Sequence, residues 1–159
     1  MHTPFRPPDH RARAALVTAQ SSALGRQLFF ALSQVEHELR TKMQLALEQV
    51  ELEVRQYITL AYIAEGHTPT QLELGQILHL DPSQVVTLTK GLAERGLLVR
   101  QTMPQDRRAH ALRITTEGKA LYQQAAALVQ RVEESLTASL SRRDRGALKN
   151  FLDRILPLS

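Results

Sequence analysis

Residues 70–96 read TQLELGQILHLDPSQVVTLTKGLAERG and carry the start and stop signals of two short helices. Thr70 and Glu73 form a capping box that opens the first helix. Asp81 is a favoured N-cap residue, and the proline after it suits the first position of the second helix. Gly96 supplies the stop of that helix. Because only HLD connects the two helices, they are predicted to cross as a helix-turn-helix.

The residues that follow predict a two-stranded hairpin. LLVRQT and HALRIT are short segments in which apolar and polar residues partly alternate, and MPQDRRA separates them. A hairpin directly behind a helix-turn-helix is a wing, predicted over residues 97–115. Asp106, Arg107 and Arg108 then fall on its loop tip, where two adjacent arginines are poorly placed for packing in a core.

Helices are predicted on both sides of this centre, because apolar residues recur there at spacings of three and four. The predicted ranges are 18–45, 53–65, 115–140 and 141–156. Residues 1–13 are rich in Pro and Arg and predict a flexible N-terminal arm. The fold class is therefore mainly α with a small β-wing. It is a winged helix-turn-helix with long flanking helices, and the wing lies between the fourth and fifth of six helices.

The composition excludes several classes of protein. Hydrophobic residues make up 43% of the chain but aromatic residues only 4%, which favours a core of Leu, Ile, Val and Ala. The absence of cysteine excludes disulfides, thiolate metal sites and sensing by thiol oxidation. No stretch approaches the roughly 18 apolar residues of a membrane helix. The N-terminus lacks the apolar segment of a secretory signal, so a cytoplasmic protein is expected.

The net positive charge is concentrated in one segment. The whole chain carries a formal charge of +4, and the residues from Lys90 to Arg113, with six basic and two acidic side chains, carry the same excess. A local positive patch indicates an anionic partner, nucleic acid first. The alternative is a solvated basic surface.

The second helix of the helix-turn-helix, residues 82–95, has the surface expected of a recognition helix in a DNA major groove. On a helical wheel Val85, Leu88 and Leu92 share the core face, and the opposite face is small, polar and short of acidic residues. Its hydroxyls can bond phosphates or base edges, its lysine a phosphate or a guanine, and its methyl groups a thymine. An ordinary amphipathic surface helix is the alternative. The predicted DNA contacts on this helix are Ser83, Gln84, Val86, Thr87 and Lys90.

The wing is predicted to reach the neighbouring minor groove. Guanidinium groups are attracted by the negative potential of narrow, A·T-rich minor grooves and are less costly to desolvate than ammonium groups. Arg107 and Arg108 are therefore predicted to contact DNA. Asp106 is predicted to brace the wing, and a plain turn-forming role is the alternative.

Together, LELGQILHLDPSQVVTLTKGLAERGLLVR and the following MPQDRRAHALRITTEG resemble the winged helix of MarR-type (multiple antibiotic resistance) transcriptional regulators. LEVRQYITL (52–60) also resembles the start of the family's second helix. The likeness extends over residues 24–156. The shared positions are Leu72, Leu80, the Asp81-Pro82-Ser83 cap, Leu92, Glu94 to Leu97, Arg100, the Asp106-Arg107-Arg108 wing, Leu112, Thr115 and Gly118.

The resemblance implies a homodimer whose first and last two helices interlock. Two winged helices would then enter successive major grooves of a pseudo-palindromic operator, as expected of a repressor rather than an activator. By position, Arg108 corresponds to the family's wing arginine and Asp106 to the aspartate that braces it. The implied domains are a first dimerisation helix over 14–50, a DNA-binding winged helix-turn-helix over 51–117, and two further dimerisation helices over 118–159.

The recognition helix departs from the family pattern in two places. Family members commonly have Ser-Arg where this chain has Val86-Thr87, and often an arginine where it has Gly91. Base recognition by those arginines therefore does not carry over, and a different operator or weaker binding is expected. Glu53 also replaces the usual Ser or Thr helix cap, at a small cost in stability.

The family usually holds its ligands between the dimerisation helices and the winged helix. The resemblance thus implies a small aromatic or amphipathic effector. No cofactor is expected, and no metal, since the histidines lack metal-ligand spacing. The candidate residues of the effector pocket are Phe29, Phe30, His37, Tyr57 and Tyr62. The alternative for each of them is plain packing in the core or the dimer interface.

Two other classes of function compete with a sequence-specific regulator. The chain has no GxSxG, GxGxxG or Walker-type motif, so nothing in it indicates an enzyme. A winged helix that binds protein, or one that coats DNA without a specific operator, stays open. The missing recognition-helix arginines favour a winged helix that binds protein, and the local basic excess favours one that binds DNA.

Overall fold

Helices form most of the protein, and one small sheet interrupts them. The computed structural model describes the backbone of residues 10–103 and 106–156, and the side chains of these residues except at positions 10, 12, 13, 102, 103 and 106–110. Over this part of the chain there are seven α-helices and two antiparallel strands, so the predicted fold class is confirmed. The elements are α1 (His10–Ser21), α2 (Leu28–Leu47), a 3-10 turn (Glu48–Val50), α3 (Val54–Ala64), α4 (Gln71–Leu78), α5 (Pro82–Glu94), β1 (Leu98–Met103), β2 (Asp106–Ile114), α6 (Thr116–Leu136) and α7 (Arg142–Ile155).

The first structural unit, residues 1–40, corrects the prediction of one long first helix over 18–45. The chain turns between α1 and α2 at residues 22–27. A Cβ atom on Gly25 would lie 1.9 Å from the Gln20 carbonyl oxygen, so the backbone folds back closely onto the end of α1. The Ser22 hydroxyl donates a hydrogen bond to the Ala19 carbonyl at 2.7 Å and so helps to end α1. The apolar spacing continues through the turn, which is why periodicity alone missed it.

The predicted arm over residues 1–13 falls mostly outside the described residues. Residues 10–13 form the first turn of α1. The range 14–50 assigned to one dimerisation helix accordingly contains part of α1, all of α2 and the 3-10 turn.

The second unit, residues 41–159, contains the hydrophobic core. Leu60, Leu74 and Leu92, from three successive helices, are 0% exposed. Each such side chain stabilises the fold by about 2 kcal/mol through removal of apolar surface from water. The core joins α3, α4, α5, the wing and α6. Its members are Leu47, Leu52, Val54, Leu60, Ile63, Leu74, Val85, Leu92, Leu97, Leu98, Leu112, Ala125 and Val129.

The helix starts lie where the capping residues predict them. Thr70 accepts from the Glu73 amide at 3.3 Å, and the Glu73 carboxylate accepts from the Thr70 amide at 2.7 Å. Ser141 and Asp144 form the same reciprocal box at α7, and Thr115 caps α6 by accepting from the Gly118 amide. Glu53 begins α3, and its amide donates to the Gln56 side chain at 3.1 Å. No helix within the described ranges is long and apolar enough to span a membrane.

Candidate nucleic-acid interface

The turn between α4 and α5 brings the two helices close together. His79 takes a left-handed conformation at φ +52°, and the Leu80 amide donates to the Gly75 carbonyl at 2.9 Å. A Cβ atom on Gly75 would lie 3.2 Å from both the Leu80 carbonyl oxygen and Val85 Cγ2. A glycine at this position therefore lets α5 pack directly on α4 and fixes the angle of the helix-turn-helix.

Asp81 caps α5 with a satisfied carboxylate. Its Oδ1 accepts from Ser83 Oγ at 2.6 Å and from the Gln84 amide at 3.0 Å. Gln84 Oε1 accepts from the Asp81 amide in return, at 3.3 Å. The bonds from Ser83 and from the Gln84 amide lower the pKa of Asp81 below its usual value, so the cap is ionised at neutral pH.

The outer face of α5 is exposed over the residues predicted to contact DNA. Ser83, Gln84, Thr87 and Lys90 are exposed, and Val86 is 46% exposed. Val85 and Leu92 are buried on the opposite side, as the helical wheel predicts. The face is thus available to a partner, and contact with DNA itself stays a prediction.

Lys90 and Gly91 define the charge of this face. Lys90 Nζ lies 3.6 Å from Glu94 Oε1, with both side chains more than half exposed, so this pair contributes little energy and leaves the lysine available. A Cβ atom on Gly91 would meet nothing within 4 Å. The position where family members often have an arginine is therefore open space.

Thr89 is a buried junction that the sequence reasoning missed. Its side chain is 1% exposed, and its hydroxyl donates to the Val85 carbonyl at 2.9 Å. The same oxygen accepts from Gln71 Nε2 at 2.5 Å and from Arg100 Nη2 at 3.4 Å. One hydroxyl therefore links α4, α5 and β1. Its position four residues after Val85, on the same helix face, is the signal that could have found it.

We expect Thr89→Val to lower the free energy of unfolding by about 1 kcal/mol, because Gln71 and Arg100 lose their shared acceptor. This loss of stability is near the low end for polar groups that lose a hydrogen-bond partner, because the Gln71 and Arg100 side chains keep access to water. Thr89→Ser, which retains the hydroxyl, is the control and should keep more of the stability. Urea denaturation of the three proteins measures the effect, and equal stability of Thr89→Val and wild type would contradict it.

The wing is firmly attached to the rest of the second unit. Strand pairing runs from Leu98 with Ile114 to Gln101 with Ala111. The Leu112 amide donates to the Pro69 carbonyl at 2.9 Å, so β2 also pairs with the segment before α4. The base of the wing is thereby fixed relative to both helices of the helix-turn-helix.

The predicted loop tip is wrong in extent. Strand β2 begins at Asp106, so Asp106, Arg107 and Arg108 are strand residues by their backbone, and only residues 104–105 separate the strands. Pairing of backbone groups does not require alternating side chains, which is why the sequence pattern underestimated the strands. The side chains of these three residues lie outside the described part of the chain. Their roles as DNA contacts and brace stay predictions.

The end of α5 is held by two long-range hydrogen bonds. Arg95 Nη1 donates to the Glu51 carbonyl at 2.7 Å, which ties the last turn of α5 to the segment before α3. Thr115 Oγ1 donates to the Gly96 carbonyl at 2.7 Å. Arg95 is thus engaged within the protein rather than directed to a partner.

The five predicted effector-pocket residues have different surroundings. In the first unit, Phe29 is 76% exposed, His37 is exposed and Phe30 is half-buried. In the second unit, Tyr57 stacks on Tyr122 with ring centres 6.1 Å apart, and burial raises the pKa of the Tyr57 hydroxyl. Their role in binding an effector stays a prediction.

Tyr62 lines an open cavity that the sequence did not reveal as such. Its ring stacks on His67 with centres 4.3 Å apart, and the cavity has a volume of about 360 Å³. A second, more apolar cavity of about 300 Å³ lies between α4 and α5, with Leu72, Leu80 and Val86 among its lining residues. Within the described residues, no group of three or more His, Asp or Glu side chains is arranged to hold a metal ion.

Comparison with known proteins places the chain in a family. The model of the MarR family matches residues 51–109. A transcriptional regulatory protein assigned to the hcr operon of Thauera aromatica is 33% identical over 99 residues, 62% of this chain and 60% of that protein. The alignment thus spans less than two thirds of that relative.

Solved structures extend the similarity over most of the chain. A MarR-family regulator from Rhodococcus sp. RHA1 is 29% identical with a TM-score of 0.79, over 87% of this chain and 99% of that one. The repressor CouR, bound to a 23-mer DNA duplex, is 31% identical with a TM-score of 0.76, over 83% and 94%. CouR from Rhodococcus jostii RHA1 bound to p-coumaroyl-CoA is 30% identical with a TM-score of 0.77, over 87% and 97%. The chain belongs to the MarR family of transcriptional regulators.

Proposed function

We propose that this protein is a repressor that binds a pseudo-palindromic DNA operator as a homodimer, with α5 in the major groove and the wing in the adjacent minor groove. The observation that carries the proposal is the exposed face of α5 beside a basic wing. Both are held at fixed angles by the Gly75 contact and the Thr89 junction. The similar repressor CouR is bound to a 23-mer DNA duplex, which supports DNA as the partner.

Exposed apolar side chains support the homodimer. Several large apolar residues on α2 and on α7 are left in contact with water in the single chain, although large apolar patches on a soluble protein usually mark an interface. A second copy of the chain would cover these surfaces by symmetry. The residues are Leu28, Phe29, Leu32 and Val35 on α2, and Leu148, Phe151 and Ile155 on α7.

A small aromatic or amphipathic effector would release the repressor from DNA. The relative CouR binds p-coumaroyl-CoA, whose phenolic and thioester parts have this character. Such a ligand acts by binding one spacing of the two recognition helices better than another, which shifts the population away from the DNA-competent dimer. The function is binding without catalysis or a resident cofactor, and it belongs in the cytoplasm with the DNA.

Selection of bound sequences from a random duplex pool tests the proposal, with the purified protein at about 0.15 M salt. Enrichment of a pseudo-palindrome with half-sites about 10 bp apart is the expected result. Binding to all duplexes without enrichment would indicate a nonspecific DNA coat. No binding by a folded dimer would indicate a winged helix that binds protein.

We expect Arg108→Ala to weaken operator binding about a hundredfold or more while leaving the dimer intact. Hydrogen bonds to charged groups contribute about 1.5–3 kcal/mol each, and a dimer loses two wing arginines. Arg131→Ala, which removes an exposed arginine from α6, is the control and should leave affinity unchanged. Titration of labelled operator measures affinity, and sedimentation measures the dimer. Unchanged affinity of Arg108→Ala at physiological salt would refute the role of the wing.

A further inference from the structure

We infer that α5 recognises thymine methyl groups, so that the centre of each operator half-site consists of A·T pairs. The inference rests on the proposed DNA-binding function and specifies the sequence that α5 reads. It is carried by the hydrogen bonds within α5, by the exposed methyl groups on its outer face and by the distribution of its charges.

The hydroxyl protons on the outer face of α5 are already used within the helix. Ser83 Oγ donates to Asp81 Oδ1 at 2.6 Å, and Thr87 Oγ1 donates to the Ser83 carbonyl at 3.0 Å. A hydroxyl has a single proton, so neither side chain can donate to a base without giving up its helix bond. Guanine presents two acceptors in the major groove, N7 and O6, and these two hydroxyls cannot donate to them without that loss.

Apart from the Gln84 amide and the Lys90 ammonium group, the outer face of α5 leaves methyl groups available. Val86 is 46% exposed, and its two methyl groups carry no competing polar atom. Thr87 is exposed, and because its hydroxyl is bonded to the preceding turn, its methyl occupies a different staggered position on Cβ. Two adjacent helix residues thus present apolar groups about 100° apart around the helix axis.

Cations that read guanine are scarce on this helix. Lys90 is the one basic residue of the sequence from Pro82 to Glu94. Arg95, the next cation, donates to the Glu51 carbonyl at 2.7 Å and is held away from the outer face. Contacts from arginine or lysine are the commonest way to select a G·C pair, and α5 offers only Lys90 for them.

An A·T pair suits a helix face whose hydroxyl protons are occupied, whose methyl groups are exposed and whose cations are scarce. Thymine presents its C5 methyl group to Val86 or Thr87, and adenine presents an N6 amino donor to a lone pair of the Ser83 hydroxyl. A cytosine in the same place offers the amino donor without the methyl group. The helix therefore distinguishes thymine by an apolar contact rather than by a charged one.

The test replaces single thymines of the selected operator with deoxyuridine, which removes only the C5 methyl group and keeps base pairing. We expect affinity to fall roughly fourfold for each contacted thymine, as for loss of one buried methylene-sized group. In the Val86→Ala protein, the same deoxyuridine that weakens wild-type binding should have little further effect. An operator that binds equally well with deoxyuridine throughout its half-sites overturns the inference and leaves the proposed function standing. Failure to select any operator removes both.

A matched pair of variants at Thr87 separates the methyl group from the hydroxyl. Thr87→Val keeps a methyl group and removes the hydroxyl, so affinity for the selected operator should be retained. Thr87→Ser keeps the hydroxyl and removes one methyl group from each protomer, so affinity should fall roughly fourfold per half-site, or about fifteenfold for the dimer. The opposite order would show that the hydroxyl reads the base and would overturn the inference. Circular dichroism melting of both variants checks that the fold is unchanged.

Discussion

Raising the salt concentration from 50 to 200 mM should weaken operator binding about a thousandfold. A dimer that presents Lys90, Arg107 and Arg108 twice neutralises about six phosphates, and each neutralised phosphate releases counterions on binding. This release becomes less favourable as the salt concentration rises, so binding weakens. The expected log–log slope of affinity against salt is therefore steep, about −5. Fluorescence anisotropy with the selected operator over this range measures it. A slope near zero would indicate that the basic excess is an ordinary solvated surface.

Lys90→Ala sharpens this measurement at one residue. The variant removes one phosphate contact from each protomer, so the slope should become shallower by about 2. Lys149→Ala removes an exposed lysine that is also paired with a carboxylate, Asp153, but lies on α7 outside the winged helix. We expect this control to leave the slope unchanged. A change of equal size in both variants would mean that net charge, rather than contact by α5, sets the salt dependence.

Gly118→Ala should destabilise the protein by about 3 kcal/mol, toward the upper end for an overpacked core. A Cβ atom on Gly118 would lie 2.1 Å from the Leu97 carbonyl oxygen and 2.9 Å from Ile114 Cγ1. The Leu97 carbonyl cannot move freely, because it accepts from the Thr115 amide at 3.1 Å. The added methyl group therefore pushes the start of α6 away from the base of the wing. Chemical denaturation should show a lower midpoint.

Gly146→Ala is the matched control for this variant. Gly146 lies within α7, and a Cβ atom on it would meet nothing within 4 Å. The substitution should stabilise the protein by up to about 1 kcal/mol, because alanine favours the helix over glycine. If both variants had the same stability, the close contact between the wing and α6 would not constrain the fold.

The local signals of the sequence predict this fold well where a helix starts or stops. The Thr70–Glu73 box and the Asp81 cap involve residues three apart, so their hydrogen bonds can be read from spacing alone. The turn at residues 22–27 was missed because leucines stay in phase across it. Breaker residues, including Gly25, were the available signal.

The candidate site is predictable in its surface but not in its internal support. The exposed face of α5 follows from helical periodicity, since its buried residues are apolar. The bond between Gln71 and Thr89 joins residues 18 positions apart, and its partners are defined only when α4 packs on α5. The partner of Arg95 is likewise defined only by the folded structure. In the sequence Arg95 belongs to the basic segment, but in the structure its side chain donates to the Glu51 carbonyl.

The open space around Gly91 has an evolutionary consequence. Any glycine codon of the GGN set becomes an arginine codon through a single base change. At this position the new side chain would enter without a steric clash, on a helix that otherwise lacks a guanidinium group, and guanidinium is the preferred reader of guanine. A change of operator preference from A·T toward G·C pairs thus requires a single base change in this protein. The packing around position 91 would not prevent it.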